Sequence, residues 1–141
     1  MNKIKISFDY DGTLSRHFGG EVNLKEQEIR NLFLNLINDD NVVLYIITRR
    51  YGPENPNKLI KNEYQAVFDT LNSLGVNIPM DNIIFTNRKY KYDYINRIGI
   101  DIHLDDDIME YKLIDKFSKA KCVHVISDDW MEKFKLFFDN K

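Results

Sequence analysis

The chain has 141 residues, of which 43% are hydrophobic and 30% are charged. This size and composition predict one ordinary globular domain and argue against a disordered chain. Lys and Arg total 20 and Asp and Glu total 22, so the net charge is −2. No strong overall field therefore draws the chain to nucleic acid or to a membrane.

The single cysteine, Cys122, excludes an intramolecular disulfide and suits a reducing cytoplasm. The sequence shows no secretory signal pattern and no apolar run long enough to span a bilayer. We therefore expect a cytoplasmic protein that has no membrane partner.

Short apolar runs alternate with longer amphipathic stretches along the whole chain. The runs predict β-strands at residues 3–9, 42–47, 82–86, 100–104 and 122–126. The amphipathic stretches predict helices at residues 23–37, 58–74, 87–98, 108–118 and 128–139. Asn23 is predicted to cap the first helix, and the predicted inward face of the fourth is formed by Met109, Leu113, Ile114 and Phe117. Residues 15–21 are polar and contain Gly19 and Gly20, which predicts a loop or a small flap.

This alternation predicts a three-layer, Rossmann-like α/β fold, with a doubly wound, parallel, five-stranded sheet and helices on both faces. Residues 42–47 are apolar throughout, as a central strand that is buried on both sides requires. No repeat or linker divides residues 1–141. Ligands of such sheets bind outside the carboxyl ends of the strands, so the residues that follow each strand are the first candidates for function.

Acidic residues follow two of the predicted strands. Asp9 and Asp11 end the first strand and lead into a turn at Gly12, and Asp105 and Asp106 follow the fourth strand. Carboxylates this close repel one another unless a cation lies between them. Hard cations such as Mg²⁺ prefer oxygen ligands, so the pattern predicts a magnesium site.

The other strand ends supply a hydroxyl, Thr48, and at least one lysine. Together with the carboxylates, this set fits metal-assisted phosphoryl transfer. One aspartate attacks phosphorus, and a second aspartate two residues further on moves the proton. A lysine and a hydroxyl hold the phosphoryl oxygens.

The chain resembles the haloacid dehalogenase-like (HAD) phosphohydrolase superfamily, whose four motifs occur in order across nearly its whole length. The first motif is an apolar strand followed by Asp-x-Asp-Gly-Thr, here residues 9–13. The second is an apolar strand that ends in Thr48, and the third is a lysine early in a later helix. The fourth is an apolar strand that ends in paired acids, here Asp105 and Asp106.

The resemblance implies a role for each acidic residue. Asp9 would be the nucleophile and Asp11 the general acid and base. Mg²⁺ would be bound by Asp9, by the backbone carbonyl of Asp11 and by the pair Asp105 and Asp106, either of which would contact it directly. Asp107 is instead expected to cap the following helix.

The resemblance also implies two phosphate-binding residues, Thr48 and Lys91, and we add Arg49 from the loop after the second strand as a third candidate. Lys89 is the alternative to Lys91. We prefer Lys91 because it lies about two helical turns before Gly99.

Two further loop arginines have two interpretations. Arg16 and Arg50, like Arg49, either meet additional phosphates or acidic groups of the substrate, or are solvated charges.

The spacing of the motifs leaves room for only a short flap and one helix between Asp11 and Thr48, and for one helix and one strand between Thr48 and Lys91. We therefore predict that residues 1–141 form a single HAD-like phosphatase domain without a cap domain. In this family an open site is associated with large substrates or with shielding by another subunit. The predicted substrate is a phosphorylated small molecule, a nucleotide or a phosphorylated nucleic-acid end.

Other functions are weighed against a hydrolase. A response-regulator receiver domain shares the sheet class, but its acceptor aspartate ends the third strand, where this chain has Thr86 and Asn87. A non-catalytic phosphate- or partner-binding domain and a phosphotransferase stay as alternatives. His17 is expected in a loop, and His103 and His124 are expected to pack in the sheet.

Overall fold

The computed structural model describes residues 2–15 and 22–141. The strands are β1 (Ile4–Phe8), β2 (Val42–Thr48), β3 (Ile83–Phe85), β4 (Ile102–Asp105) and β5 (Lys121–His124). The helices are α1 (Leu24–Ile37), α2 (Lys61–Leu74), α3 (Tyr92–Ile98), α4 (Ile108–Phe117) and α5 (Trp130–Asp139). Short 3-10 turns, Lys58–Ile60 and Met80–Asn82, precede α2 and β3. Apart from Ser15, the predicted flap, with Arg16 and His17, lies outside the described residues.

The five strands form one parallel sheet in the order β3-β2-β1-β4-β5. This arrangement confirms the predicted Rossmann-like α/β fold. The chain builds outward from β1 through β2 to β3 and then returns to place β4 on the other side of β1. The order of the strands therefore reverses between β1 and β4, and ligands of such sheets bind in the crevice at this point.

Helices cover both faces of the sheet because successive strand residues point to opposite sides. Ile46 of β2 belongs to the larger core, which takes in residues of α1, α2 and α5. The next residue, Ile47, belongs to a smaller core with Ile95 of α3 and Ile114 of α4. No helix in the described part of the chain is long and apolar enough to cross a membrane.

Two predicted helix caps are confirmed. The Asn23 side chain accepts a hydrogen bond from the Glu26 backbone N–H at 2.8 Å, and this bond starts α1. The Asp107 side chain accepts one from the Met109 N–H at 2.8 Å and starts α4. Each cap satisfies a backbone donor that has no partner inside its helix.

The prediction for the third helix was wrong at its start. The helix begins at Tyr92 rather than at residue 87. Asn87 and Arg88 instead have φ angles of 54° and 72°. Their N–H groups donate to the Arg50 and Arg49 carbonyls at 3.3 and 2.8 Å, so the loop after β3 is tied to the loop after β2. These bonds hold residues 87 and 88 outside the helical conformation.

The predicted inward face of α4 was wrong at two positions. Met109 and Phe117 are about half exposed, whereas Ile114 and, unexpectedly, Glu110 are fully buried. Glu110 lies four residues before Ile114 and so occupies the same face of the helix. A carboxylate therefore takes a place expected to be apolar, directly below the carboxyl end of β4.

The core predicts the cost of truncating α1. Phe33 is fully buried, and its ring meets that of Phe8 edge to face at 5.1 Å. We expect Phe33→Ala to lower the free energy of unfolding by about 3–5 kcal/mol, measured by urea denaturation. Leu24→Ala in the same helix, at a side chain that is 72% exposed, should change it by less than about 0.5 kcal/mol. Similar losses in both variants would contradict this assignment of the core.

Candidate functional site

Three carboxylates converge where the strand order reverses. Asp9 follows β1, Asp105 is the last residue of β4, and Asp106 comes directly after it. One carboxylate oxygen from each lies within 4.8 Å of the others. Asp105 is fully buried and Asp9 is 5% exposed. The sheet therefore brings residues from distant parts of the sequence into one buried acidic cluster.

The turn after β1 needs a glycine. Gly12 has a φ angle of 74°, which side chains disfavour, and a Cβ atom there would lie 1.9 Å from Asp106 Oδ2. The Thr13 and Ser15 N–H groups both donate to the Tyr10 carbonyl, at 3.2 and 2.9 Å, and close the turn. The turn thus leaves room for the Asp106 carboxylate beside Asp9.

Thr13 and Lys91 hold the Asp9 carboxylate from two sides. The Thr13 hydroxyl donates to Oδ2 at 3.1 Å, and Lys91 Nζ donates to Oδ1 at 2.7 Å. The same ammonium donates to Asp105 Oδ2 at 2.6 Å. Lys89 does not line the cavity that contains Asp9, whereas Lys91 does. Of the two candidate lysines, the structure therefore brings Lys91 into the acidic cluster.

Charge and burial act against each other in this cluster. Burial and the negative Asp105 raise the pKa of Asp9 well above its usual range. Burial would also raise the pKa of Asp105, but the Lys91 ammonium and His103 outweigh it and hold that pKa well below its usual range. Burial alone would lower the pKa of Lys91, yet its two carboxylate partners raise it strongly. The ammonium and Asp105 are therefore ionised together.

A buried histidine contacts the Asp105 carboxylate. His103 Nε2 lies 2.8 Å from Asp105 Oδ2, and His103 Nδ1 lies 2.6 Å from Ser7 Oγ. Burial lowers the pKa of His103, so its ring is neutral. Since an ionised carboxylate only accepts, Nε2 carries the proton and Ser7 donates to Nδ1. His103 was correctly expected to pack in the sheet, but its contact with Asp105 was missed.

Glu110 is the second residue that the sequence analysis missed. Its Oε1 accepts a hydrogen bond from the Lys91 N–H at 3.2 Å, and its Oε2 is buried without a hydrogen-bond partner. Burial raises the pKa of Glu110. Its four-residue spacing from Ile114 was the available signal, because this spacing places it on the buried face.

Asp11 faces the cavity but is not a member of the acidic cluster. Its carboxylate is paired with the Arg50 guanidinium through two hydrogen bonds, at 2.8 and 2.7 Å. Thr48 is fully buried at the end of β2 and does not line the cavity, and its Oγ1 accepts a hydrogen bond from the Arg50 N–H at 3.3 Å. Of the predicted phosphate-binding residues, Arg49 and Lys91 line the cavity.

The cavity above the cluster has a volume of about 610 Å³, within the usual range for small-molecule sites. It is lined by Asp9, Asp11, Gly12, Ser15, Arg49, Arg50, Lys91, Asp105, Asp106, Asp107 and Glu110. A larger cavity of about 890 Å³ lies near Asn96 and Lys116, away from the acidic cluster. We assign function to the smaller cavity because the buried charged groups converge there.

The donor set fits a small hard cation. Asp9, Asp105 and Asp106 offer three carboxylate oxygens at close range, and the Lys91 ammonium bridges Asp9 and Asp105. A cation among these oxygens would relieve the repulsion that raises the pKa of Asp9. The chemistry of the cluster therefore supports metal binding, and oxygen ligands alone favour Mg²⁺, Ca²⁺ or Mn²⁺.

Comparison with protein-family models, with curated proteins and with solved structures finds no match to this chain. The geometry of this site is therefore what supports a function for the chain.

Metal binding should stabilise the fold. We expect MgCl₂ to raise the melting temperature of EDTA-treated protein, by the equivalent of about 2.7 kcal/mol at a hundredfold excess over Kd. Asp106→Asn should remove most of this shift because it removes one anionic ligand. Asp107→Asn is the matched control, since asparagine also caps a helix. An unchanged shift in Asp106→Asn, measured by scanning calorimetry, would place the cation elsewhere.

The buried neutral His103 predicts a pH dependence of stability. In the unfolded chain a histidine binds a proton below about pH 6.5, whereas in the folded protein burial lowers the pKa of His103. At this residue the unfolded state then binds more protons, so the contribution of His103 to stability should fall as the pH is lowered from 6.5 to 5, whereas carboxyl groups with a raised pKa, such as Asp9 and Glu110, contribute with the opposite sign. The slope is at most about 1.4 kcal/mol per pH unit.

Urea unfolding in EDTA at several pH values measures this slope. His103→Gln should remove the contribution of this histidine from the slope. An equal slope in wild type and His103→Gln would show that other groups cause the pH dependence.

Proposed function

We propose that this protein is a Mg²⁺-dependent phosphomonoester hydrolase of the HAD type that acts through an aspartyl-phosphate intermediate. One observation carries the proposal. The buried carboxylate of Asp9 contacts the Lys91 ammonium and lies within 4.8 Å of two further carboxylates, at the point where the strand order reverses. A nucleophile, a positive group for the phosphoryl oxygens and a cation site are thus adjacent.

In the first step Asp9 attacks phosphorus. A bond forms between its carboxylate oxygen and phosphorus, and the bond to the leaving oxygen of the ester breaks. Asp9 must be ionised to attack. Burial and Asp105 raise its pKa, whereas the contacts with Lys91 and Thr13, and a cation bound at the cluster, would favour the ionised form. They also fix the carboxylate in one orientation, which contributes to the rate through positioning.

Asp11 transfers the protons. It lies two residues after Asp9 on the same cavity, and its side chain is 58% exposed, which leaves it room to turn. It donates a proton to the leaving oxygen in the first step. In the second step it takes a proton from the water that attacks phosphorus, and the bond between Asp9 and phosphorus breaks to release phosphate.

The remaining groups hold the phosphoryl oxygens. Arg49 and Lys91 line the cavity and offer charged donors, and we propose the Thr48 hydroxyl as a third donor on the basis of the resemblance. Mg²⁺, held by Asp9, Asp105, Asp106 and the Asp11 carbonyl, would neutralise the phosphoryl group and so reduce its repulsion of the attacking carboxylate.

The proposed substrate is a phosphorylated small molecule, a nucleotide or a phosphorylated nucleic-acid end, and the proposed location is the cytoplasm. The absence of a cap domain is likewise part of the proposal. Between Thr48 and Lys91 the chain forms α2, the two 3-10 turns and β3, and none of these elements lines the cavity. A cavity that the described elements between Thr48 and Lys91 leave uncovered suits a substrate that extends beyond its phosphate.

Turnover of p-nitrophenyl phosphate tests the proposal. We expect hydrolysis with MgCl₂, loss of activity with EDTA, and a loss of at least about a thousandfold in kcat for Asp9→Asn. After an acid quench, the wild type should carry a phosphate label that hydroxylamine removes, as expected of an acyl phosphate. Asp107→Asn, which retains the helix cap, is the control and should stay active.

Three results would contradict this proposal in different ways. Turnover that survives Asp9→Asn would exclude Asp9 as the nucleophile. Phosphate binding without turnover, across metals and phosphate esters, would favour a binding domain. Transfer of the label to glycerol in preference to water would indicate a phosphotransferase.

A further inference from the structure

Arg50 presents a fixed cationic group at the edge of the cavity. Its Nη1 donates to the Glu63 carbonyl at 2.9 Å, and its guanidinium lies over the Tyr10 ring, 5.0 Å from the centroid. The Tyr10 hydroxyl is in turn held at 2.8 Å from Thr70 Oγ1, and Tyr10 is only 4% exposed. Backbone and a buried ring therefore position the guanidinium independently of Asp11.

Asp11 is the mobile partner of this ion pair. Its side chain is 58% exposed, against 23% for Arg50, and both of its carboxylate oxygens are bound to Arg50. A carboxylate this exposed is held weakly, because water competes for it. A stronger anion at the same guanidinium would displace Asp11 and leave Arg50 where it is.

The pairing has a consequence for the proposed reaction. While both oxygens of Asp11 accept hydrogen bonds from Arg50, its carboxylate cannot turn toward a leaving group at Asp9. A substrate that carries a second phosphate could take the Arg50 donors, since a guanidinium binds phosphate and carboxylate in the same bidentate manner. Binding of that second group would then release Asp11 for proton transfer.

We propose that Arg50 is a specificity-determining residue that binds a second phosphate group of the substrate and thereby frees Asp11. This inference rests on the proposed hydrolase function. Two further observations, on Arg49 and on the cavity, support it. Arg49 lines the same cavity, forms no ion pair within the described residues, and has a buried Nε without a hydrogen-bond partner. The cavity, at about 610 Å³, has room for more than one phosphoryl group.

The test compares adenosine 5′-monophosphate, adenosine 3′,5′-bisphosphate and a 5′-phosphorylated dinucleotide. We expect wild type to prefer the bisphosphate over the monophosphate by about tenfold or more in kcat/KM, as charge-assisted hydrogen bonds imply. Arg50→Gln should abolish this preference, chiefly by raising the monophosphate rate, because Asp11 is then free without a second phosphate. Arg50→Lys keeps the charge but loses the bidentate geometry, so it should retain part of the preference for the bisphosphate.

The dinucleotide identifies the source of the second phosphate. A gain for the dinucleotide as well as the bisphosphate would indicate a nucleic-acid end. A gain for the bisphosphate alone would indicate a small bisphosphorylated substrate. Arg88→Gln is the matched control, because Arg88 pairs with Glu63 at 2.9 Å, stacks on Tyr51 and does not line the cavity. Equal use of mono- and bisphosphate by wild type, or an equal loss of both in Arg50→Gln, would overturn the proposal.

Binding measurements separate this inference from the proposed catalysis. In the Asp9→Asn background, calorimetric titration should show that Arg50→Gln lowers the affinity for the bisphosphate about tenfold and leaves the affinity for the monophosphate unchanged. Adding Asp11→Asn instead should raise the affinity for the bisphosphate, because a neutral side chain competes less for Arg50. If these changes in affinity occur but protein with an intact Asp9 shows no turnover, the hydrolase function is refuted and the binding site is retained. Their absence would refute the binding site whatever the turnover.

Discussion

The site depends on one buried ammonium. Lys91 lies 2.7 Å from Asp9 and 2.6 Å from Asp105, and the three side chains are almost inaccessible to water. Removing one member of a buried ion pair leaves an uncompensated charge, which typically costs about 3–5 kcal/mol. The lysine therefore stabilises the two aspartates that the proposed chemistry requires, and its own backbone N–H is bound by Glu110. Helix α4 is thereby connected to the same group.

A second layer of polar residues holds Asp105 of the acidic cluster in place. Ser7 and His103 face each other across β1 and β4, and their hydrogen bonds end on Asp105. The chain of contacts lies on the face of the sheet covered by α3 and α4, where these two side chains replace apolar ones. Because every member of this chain is bound, the carboxylate of Asp105 is held in one orientation before any ligand arrives.

Sequence patterns predict the sheet well because a central strand such as residues 42–47 can only be apolar. They also indicate Asp9 and Asp105, since both follow strands whose carboxyl ends must meet at one edge of the sheet. The contact of His103 with Ser7 could not be predicted without the register of β1 against β4. The pair Asp11 and Arg50 could not be predicted either, because it depends on the conformation of two loops that are 39 residues apart in sequence.

The strand order has a consequence for folding. Asp9 is near the beginning of the chain, but its partners Lys91 and Asp105 come 82 and 96 residues later, and β4 pairs beside β1 after β2 and β3 have been formed in sequence. During synthesis the first aspartate would emerge long before any group that could compensate its charge. Closure of these distant contacts is entropically costly. The acidic cluster cannot form until the chain has been made through β4, because an N-terminal part that ends before Asp105 lacks two of the three carboxylates.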